Sequence, residues 1–311
     1  MPRIVFLCPF PRGAITGGTK TVYRQAELLT DAGFDAFVHQ PEGQPAWFES
    51  TARVIREPRF TPLPDDVLVF PETINGPLAE LVQAPLTAKK VLYCQAHYYA
   101  LFNAVPPERL SQLGFAGVAC QSAIARGFLE RVLHLRDVAV IPCYIDREQF
   151  YPREKHTQIA FIPRKLPRES AAIQKIFELK YRTLQWTRWV PVENRTERET
   201  AEIFGCSAVV LSLPFLESLG LVPLEAMASG ALVAGFHGYG GQEYASGENG
   251  KWFPPDHLEE VADAVARLMQ GLMRNDQELS RMRESGFATA ARFSKQAAIA
   301  ALLDFYGPLV G

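Results

Sequence analysis

The sequence predicts an α/β protein built from two Rossmann-like domains, each with its own parallel sheet. Short β-branched and apolar runs alternate with segments of helical periodicity along the chain, which is typical of βαβ units. Most of the strand-like runs are apolar on both faces, as buried parallel strands are. A length of 311 residues also favours two domains. The polar stretch 146–155 interrupts the alternation, and we therefore place the domain boundary at residue 150.

Residues 1–150 carry the elements of the first domain. A helix is predicted over 19–32, where apolar side chains recur on one face and Gly33 provides a stop. A second helix is predicted to start near Ser122, which is expected to be its N-cap. Residues 40–66 are rich in proline and are expected to be a loop-rich excursion. The predicted strands of this domain are Ile4–Cys8, Ala36–His39, Val67–Phe70, Val91–Gln95, Gly117–Cys120 and Val138–Ile141.

Residues 151–293 repeat the plan in a second domain, and residues 294–311 are predicted to form a helix that packs back on the first. Capping boxes are predicted where a helix follows Thr196 with Glu199, and where one follows Asp256 with Glu259. The predicted strands are Ile159–Ile162, Arg188–Val190, Ala208–Leu211, Leu232–Gly235 and Lys251–Phe253.

Composition narrows the classes of function. A formal net charge of −2 argues against nucleic acid as a partner. No apolar run reaches the ~18–20 residues of a membrane span, and the N-terminus enters a strand-like run without the pattern of a signal peptide. The five cysteines are scattered and form no Cys-x-x-Cys pair, which favours reduced thiols and a cytoplasmic location.

The segment from Glu217 to Glu225 is the most informative part of the chain. Pro223 is expected at the first position of a short helix, whose unpaired N–H groups would attract phosphate. Two carboxylates beside such a site would repel phosphate, but they can accept hydrogen bonds from sugar hydroxyls. A ligand with a central diphosphate and sugars on both sides is a nucleotide sugar. The alternative is that Glu217 is a solvated loop residue and Glu225 a helix-start charge.

This segment resembles the E-x7-E motif of the retaining glycosyltransferase family 4. Three other segments are similar to parts of the same family in the same order: the interdomain stretch 142–152, the G-x-N-G turn at 247–250, and the glycine pair Gly17-Gly18 before the first helix. The resemblance is closest over about 205–270.

The resemblance implies the GT-B fold, with two Rossmann-like domains and a ligand cleft between them. It implies a retaining glycosyltransferase, a hexosyltransferase type, that moves a sugar from a nucleoside-diphosphate sugar to a hydroxyl acceptor in polysaccharide, glycan or glycolipid assembly. The acceptor would be a glycan, a lipid-linked sugar or a small molecule, bound on the side of the first domain, and the donor would bind the second. Peripheral contact with the inner membrane face is a further expectation.

The resemblance also implies roles for individual residues. Glu217 would contact hydroxyls of the donor sugar near the reacting carbon, and Glu225 would bind the ribose. The segment Ser218-Leu219-Gly220-Leu221 would bind the donor, with backbone N–H groups of Leu219, Gly220 and Leu221 cradling the diphosphate.

Cations are expected to neutralise the departing diphosphate, so neither a metal nor a cofactor is expected. The family places an arginine and a lysine about six residues apart here. Arg164 fits the arginine position, but the later lysine is absent, and Lys165 or Arg168 is expected to substitute. The alternative is a solvated basic loop.

Two further candidates lie in the first domain. Gly17 and Gly18 are expected to let the backbone approach the donor phosphates or the acceptor, although a plain strand-to-helix turn is the alternative. The loop falls short of a P-loop because Thr19 separates Gly18 from Lys20. The resemblance implies that His97 acts near the acceptor or the reacting sugar, with a structural histidine among aromatic residues as the alternative.

Other functions stay open at this stage. A nucleotide-sugar epimerase on the same fold would convert the donor without an acceptor, and a non-catalytic relative would bind nucleotide sugar or glycan without turnover. The arginines at 126, 131 and 136 form a basic helix face that suits either a membrane surface or solvent.

Overall fold

The computed structural model describes residues 2–311, which form two compact units. The first unit comprises the chain up to Cys143 together with 296–311, and the second comprises 144–295. Each unit has one parallel sheet with helices packed against it, which confirms the predicted fold class of two Rossmann-like domains. The division falls at Cys143, whereas the prediction was residue 150, because the Ile145 N–H donates to the Phe293 carbonyl (2.9 Å) within the second unit.

The first unit contains a seven-stranded sheet with the order β3-β2-β1-β4-β5-β6-β7, in which all pairs are parallel. The strand order reverses between β1 and β4, and in α/β sheets ligands bind where the order reverses. β3 is a short strand within the excursion 40–66, which the sequence had predicted to be rich in loops. The strands are β1 Arg3–Leu7, β2 Asp35–His39, β3 Val54–Ile55, β4 Val67–Pro71, β5 Lys89–Cys94, β6 Gly117–Cys120 and β7 Ala139–Val140.

Three helices follow strands of this sheet: α1 Gly17–Asp31, α2 Pro77–Gln83 and α3 Ala123–Val132. The predicted cap at Ser122 is confirmed, because its side chain accepts from the Ala125 N–H. α1 begins two residues earlier than predicted, because the Thr16 side chain caps it by accepting from the Thr19 N–H. The sequence had not predicted α2.

The second unit contains a five-stranded parallel sheet with the order β12-β11-β10-β8-β9. The order reverses between β8 and β10, which are paired. The loops that leave the carboxyl ends of these two strands are therefore neighbours, and this is where a Rossmann-like sheet binds ligands. The strands are β8 His156–Phe161, β9 Arg188–Pro191, β10 Ser207–Ser212, β11 Leu232–Phe236 and β12 Lys251–Phe253.

The helices of this unit are α4 Pro167–Lys180, α5 Glu197–Cys206, α6 Leu221–Ala228, α7 Leu258–Met273 and α8 Gln277–Ala291. The capping box of Thr196 and Glu199 on α5 is confirmed. The one predicted at Asp256 and Glu259 is wrong: His257 is the N-cap of α7 and makes no side-chain cap bond. Asp256 lies one residue too early to reach the first free N–H groups.

One lysine holds the C-terminal ends of two helices in the second unit. The Lys155 ammonium donates to the carbonyls of Gly205 (2.6 Å) near the end of α5 and Ser229 (2.6 Å) at the end of α6. A cation at the C-terminal end of a helix satisfies free carbonyls and opposes the helix dipole. The far end of α6 is thereby fixed to α5, which leaves its N-terminus in a defined place above β10.

The last helix, α9 Lys295–Val310, belongs to the first unit for nearly all of its length. Its Tyr306 ring contacts Phe6 of β1 edge-on, with centroids 6.0 Å apart, and the Lys89 ammonium donates to the Leu309 carbonyl (2.7 Å). Within residues 2–311, none of the helices has the length and hydropathy that crossing a membrane would need.

Candidate functional site

The candidate site in the second unit lies at the carboxyl ends of β8 and β10. The loop that follows β8 contains Arg164 and Lys165. The loop that follows β10 contains Glu217 and leads to the start of α6. Lys165, Ser212, Glu217 and Val222 are among the residues that line one small cavity there. The sheet topology therefore brings together residues that are about fifty positions apart in the sequence.

An ion pair joins the two loops: the Lys165 ammonium contacts the Glu217 carboxylate. Both side chains keep contact with solvent, with 30% and 28% of their surface exposed. The pKa of Lys165 is lowered to about 8, mainly because burial disfavours the charged ammonium; repulsion from Arg164 adds to the shift, and attraction to Glu225 opposes it. The Lys165 ammonium therefore interacts electrostatically with both acids of the predicted motif. Because its pKa is about 8, it can lose its proton, and with it its positive charge, slightly above neutral pH.

Arg164 and Arg168 extend the positive charge on the same side. Both are exposed, and Arg168 is the second residue of α4. Burial lowers the pKa of Arg164, which nevertheless stays charged because a guanidinium is protonated throughout the physiological range. The lysine that the family places further along is absent, and Lys165 supplies an ammonium one residue after Arg164 instead.

The turn before α6 contains backbone N–H groups that make no hydrogen bond within the described residues. Among residues 2–311, no partner accepts a hydrogen bond from the N–H groups of Leu219, Gly220 or Leu221. Gly220 is the N-cap, with φ +83°, a conformation that favours glycine. Pro223 was expected at the first helical position, but it is the third, because Gly220 turns the chain into the helix two residues earlier. Its missing N–H still leaves no orphan donor at that position.

Glu225 is the fifth residue of the eight-residue helix α6 and is 6% exposed. Its charge raises the pKa of Lys165, the ammonium that pairs with Glu217. Ser218 is buried, with 1% of its surface exposed.

The loop after β11 supports this turn from behind, which the sequence did not predict. The Gly240 N–H donates to the Glu217 carbonyl (2.9 Å), and the Tyr239 N–H donates to the Phe215 carbonyl (3.2 Å). A Cβ on Gly240 would lie 2.2 Å from the carbonyl carbon of Ser218, so only glycine fits.

The predicted residues of the first unit lie at the carboxyl edge of its sheet. Gly17 and Gly18 form the first turn of α1, and the Gly18 carbonyl accepts from the Gln95 side chain (3.2 Å). Gln95 also accepts from Gln121 (2.9 Å) and receives support from Glu72, which accepts from its backbone N–H (3.0 Å). Burial raises the pKa of Glu72. These buried hydrogen bonds connect the glycine turn to the ends of the strands β4, β5 and β6. The sequence analysis did not predict them.

His97 follows β5 and is fully buried. Its ring packs against Tyr98 and Phe128, with centroids 4.3 Å and 4.7 Å apart. Burial lowers the pKa of His97 to about 4, so the ring is neutral near pH 7. This placement favours a structural histidine, and a direct contact with a reacting sugar stays an untested prediction.

Residues 162–271, which contain most of the second unit and all of its candidate site, match the family model for glycosyl transferases group 1. The chain is 25% identical to an alpha-1,6-glucosyltransferase of Actinobacillus pleuropneumoniae serotype 7 over 242 residues, which are 76% of this chain and 73% of that protein. The fold is that of the GT-B glycosyltransferases.

Two solved structures show this likeness over nearly the whole chain. The sucrose-phosphate synthase of Thermosynechococcus elongatus superimposes with a TM-score of 0.72 at 15% identity, covering 99% of both chains. Anabaena HepE in complex with UDP-glucose superimposes with a TM-score of 0.64 at 14% identity, covering 98% of this chain and 99% of that one. Across residues 2–311, no group of three or more His, Cys, Asp or Glu residues is arranged to hold a metal.

The close contact behind the turn gives a test of the site's architecture. Gly240→Ala would force its methyl group into the Ser218 backbone, and we therefore expect the free energy of unfolding to fall by about 1–3 kcal/mol. Gly247→Ala is the matched control, because a Cβ there meets nothing within 4 Å. Urea unfolding followed by tryptophan fluorescence measures both variants. Equal stability of the two variants would contradict the packing described for this loop.

Proposed function

We propose that the protein is a retaining glycosyltransferase that transfers a hexosyl unit from a nucleoside-diphosphate sugar to a hydroxyl acceptor. The observation that carries the proposal is the ion pair of Lys165 with Glu217 beside the free amides at the start of α6. A cation, three free N–H groups and two carboxylates at one strand end fit a diphosphate flanked by sugars. The relatedness to an alpha-1,6-glucosyltransferase and the UDP-glucose complex of HepE support glucose as the first sugar to test.

The donor would bind with its diphosphate on the N–H groups of Leu219, Gly220 and Leu221. Arg164 and Lys165 would neutralise it, with Arg168 adding charge from the start of α4. Glu217 would accept hydrogen bonds from hydroxyls of the transferred sugar, and Glu225 would accept from the ribose. Each of these contacts uses a group that the sheet topology already holds in place, so little reorganisation is needed on binding.

In the reaction, the bond between the anomeric carbon and the diphosphate oxygen breaks, and a bond from the acceptor oxygen to that carbon forms on the same face. The acceptor proton passes to the departing phosphate oxygen, which leaves as nucleoside diphosphate. Charge on the diphosphate grows as the bond breaks, and Arg164 and Lys165 stabilise this charge more strongly in the transition state than in the bound donor. No metal is required for this scheme. Retention of configuration follows from the family resemblance.

Transfer to the acceptor tests the role of Glu217. UDP-glucose, ADP-glucose and GDP-mannose are supplied with glucose or short oligosaccharides, and products are followed by mass spectrometry. We expect Glu217→Gln to lower turnover by about 100-fold or more, because an amide accepts hydrogen bonds less strongly than a carboxylate. Affinity for the nucleoside diphosphate should stay equal or rise, since a negative charge next to Lys165 is removed.

Glu248→Gln is the matched control, because Glu248 is an exposed acid of the same unit outside the site. It should leave turnover unchanged. A Glu217→Gln protein with the turnover of the wild type would rule out the proposed contact with the sugar. Binding of nucleoside diphosphates without transfer or hydrolysis of any donor by the wild type would instead indicate a binding protein.

The pKa of Lys165 predicts how binding depends on pH. The ammonium has a pKa of about 8 in the free protein, so it loses its charge as the pH rises through 8. A diphosphate binds the charged form, and the wild type should therefore bind about 10-fold more weakly at pH 9 than at pH 7. Lys165→Arg keeps its charge over this range and should bind equally at both values.

Isothermal titration calorimetry with UDP, or with whichever of UDP, ADP and GDP binds best, gives both profiles. The difference between the wild type and Lys165→Arg is the quantity of interest, because other groups of the protein and the nucleotide titrate identically in both. The same pH slope in the two proteins would show that Lys165 does not contact the diphosphate.

A further inference from the structure

A buried tyrosine contacts the backbone of the turn that begins α6. The hydroxyl of Tyr244 donates to the Gly220 carbonyl (2.9 Å), and the residue is 4% exposed. Its ring lies edge-on to Phe293 and Trp252, with centroids 5.9 Å and 6.4 Å apart. Burial raises the pKa of Tyr244, so the hydroxyl keeps its proton and remains a donor.

Asn249 holds this tyrosine in place. Its amide nitrogen donates to the Tyr244 carbonyl (2.7 Å) and to the Thr289 hydroxyl oxygen (3.0 Å). Its amide oxygen accepts from the Ser246 N–H (3.0 Å) and from the Trp252 ring N–H (3.0 Å). All four hydrogen-bonding positions of this amide are used, and its residue is 3% exposed. A fully satisfied buried amide is rigid, because any movement would leave polar atoms without partners.

The geometry of the peptide bond connects this tyrosine to the candidate site. The Gly220 carbonyl and the Leu221 N–H belong to the same peptide group, which is trans because residues 2–311 contain no cis bond. In a trans peptide, the carbonyl and the N–H point in opposite directions. A hydroxyl that holds the carbonyl on the buried side therefore turns the Leu221 N–H away from the interior.

We infer that Tyr244 is a positioning residue, whose hydroxyl aims the Leu221 N–H at the diphosphate of the donor. Gly220 needs this restraint, because a glycine at φ +83° has more accessible conformations than any other residue. Without the restraint the peptide could rotate, and the amide would have to be ordered when the ligand binds. The inference rests on the proposed function, because it requires a diphosphate at the start of α6.

Tyr244→Phe removes the hydroxyl and keeps the ring between Phe293 and Trp252. Its affinity for UDP and for uridine is measured by calorimetry beside that of the wild type, with ADP and adenosine or GDP and guanosine used if those bind better. We expect binding of the diphosphate to weaken about five- to tenfold and binding of the nucleoside to change less than twofold. The nucleoside lacks the diphosphate, so its affinity should respond to general damage to the site but not to the orientation of the Leu221 N–H.

Tyr306→Phe is the matched control, because the Tyr306 hydroxyl is fully buried in the first unit and has no hydrogen-bond partner among residues 2–311. It should leave both affinities unchanged. Thr289→Val is a second route that leaves Tyr244 intact: it removes an acceptor of Asn249, and it should weaken diphosphate binding about twofold in the same selective way. This variant decides the question if Tyr244→Phe does not fold.

The outcomes separate this inference from the proposed function. Equal binding of the diphosphate by Tyr244→Phe and the wild type would overturn the positioning role and leave the transferase proposal standing. Equal weakening of diphosphate and nucleoside would show a merely structural role and would overturn it too. A wild type that binds no nucleoside diphosphate at all would overturn both.

Discussion

The proposed site depends on one electrostatic constraint: two carboxylates and a bound diphosphate could share the start of α6 only if a cation lay among them. Lys165 is that cation, paired with Glu217 and within the field of Glu225. Without this cation, the two carboxylates would repel the diphosphate that the free N–H groups attract. The same ammonium explains why the chain can lack the later lysine of the resembled family, since Lys165 and Arg164 supply the positive charge from one loop.

The rest of the second unit keeps this cluster in place. The reversal of strand order between β8 and β10 brings the two loops side by side, and Lys155 fixes the far end of α6. Gly240 packs on the turn from behind, and Tyr244 holds the Gly220 carbonyl. A site whose donors are fixed before the ligand arrives loses less entropy on binding and stabilises charge better during reaction. The rigidity of the loop after β11 is therefore part of the function that we propose.

Much of this fold could be predicted from the sequence because its signals are local. Apolar runs predicted the buried strands, and the capping box of Thr196 and Glu199 predicted the start of α5. The features that escaped prediction depend on contacts between distant segments. The sequence shows that Lys165 follows Arg164, but only the pairing of β8 with β10 shows that its side chain meets Glu217. The packing of the His97 ring against Phe128 of a later helix likewise became visible only in the fold.

The same reason explains the errors in helix starts. A capping box at Asp256 agreed with the sequence pattern, but the preceding turn shifted the cap to His257. Pro223 suited a first helical position, but the positive φ of Gly220 opened the helix earlier. In both places the path of the chain into the helix decided the cap, and that path is set by tertiary packing.

The most direct measurement of the central claim observes the turn's own amides. In protein labelled with ¹⁵N at leucine, the N–H signals of Leu219 and Leu221 can be followed by NMR while UDP or uridine is added. A diphosphate bound at the start of α6 should shift both signals strongly with UDP and leave them nearly in place with uridine. If UDP binds and both signals stay where they were, the diphosphate lies elsewhere, and the account given for Lys165, Glu217 and this helix is wrong.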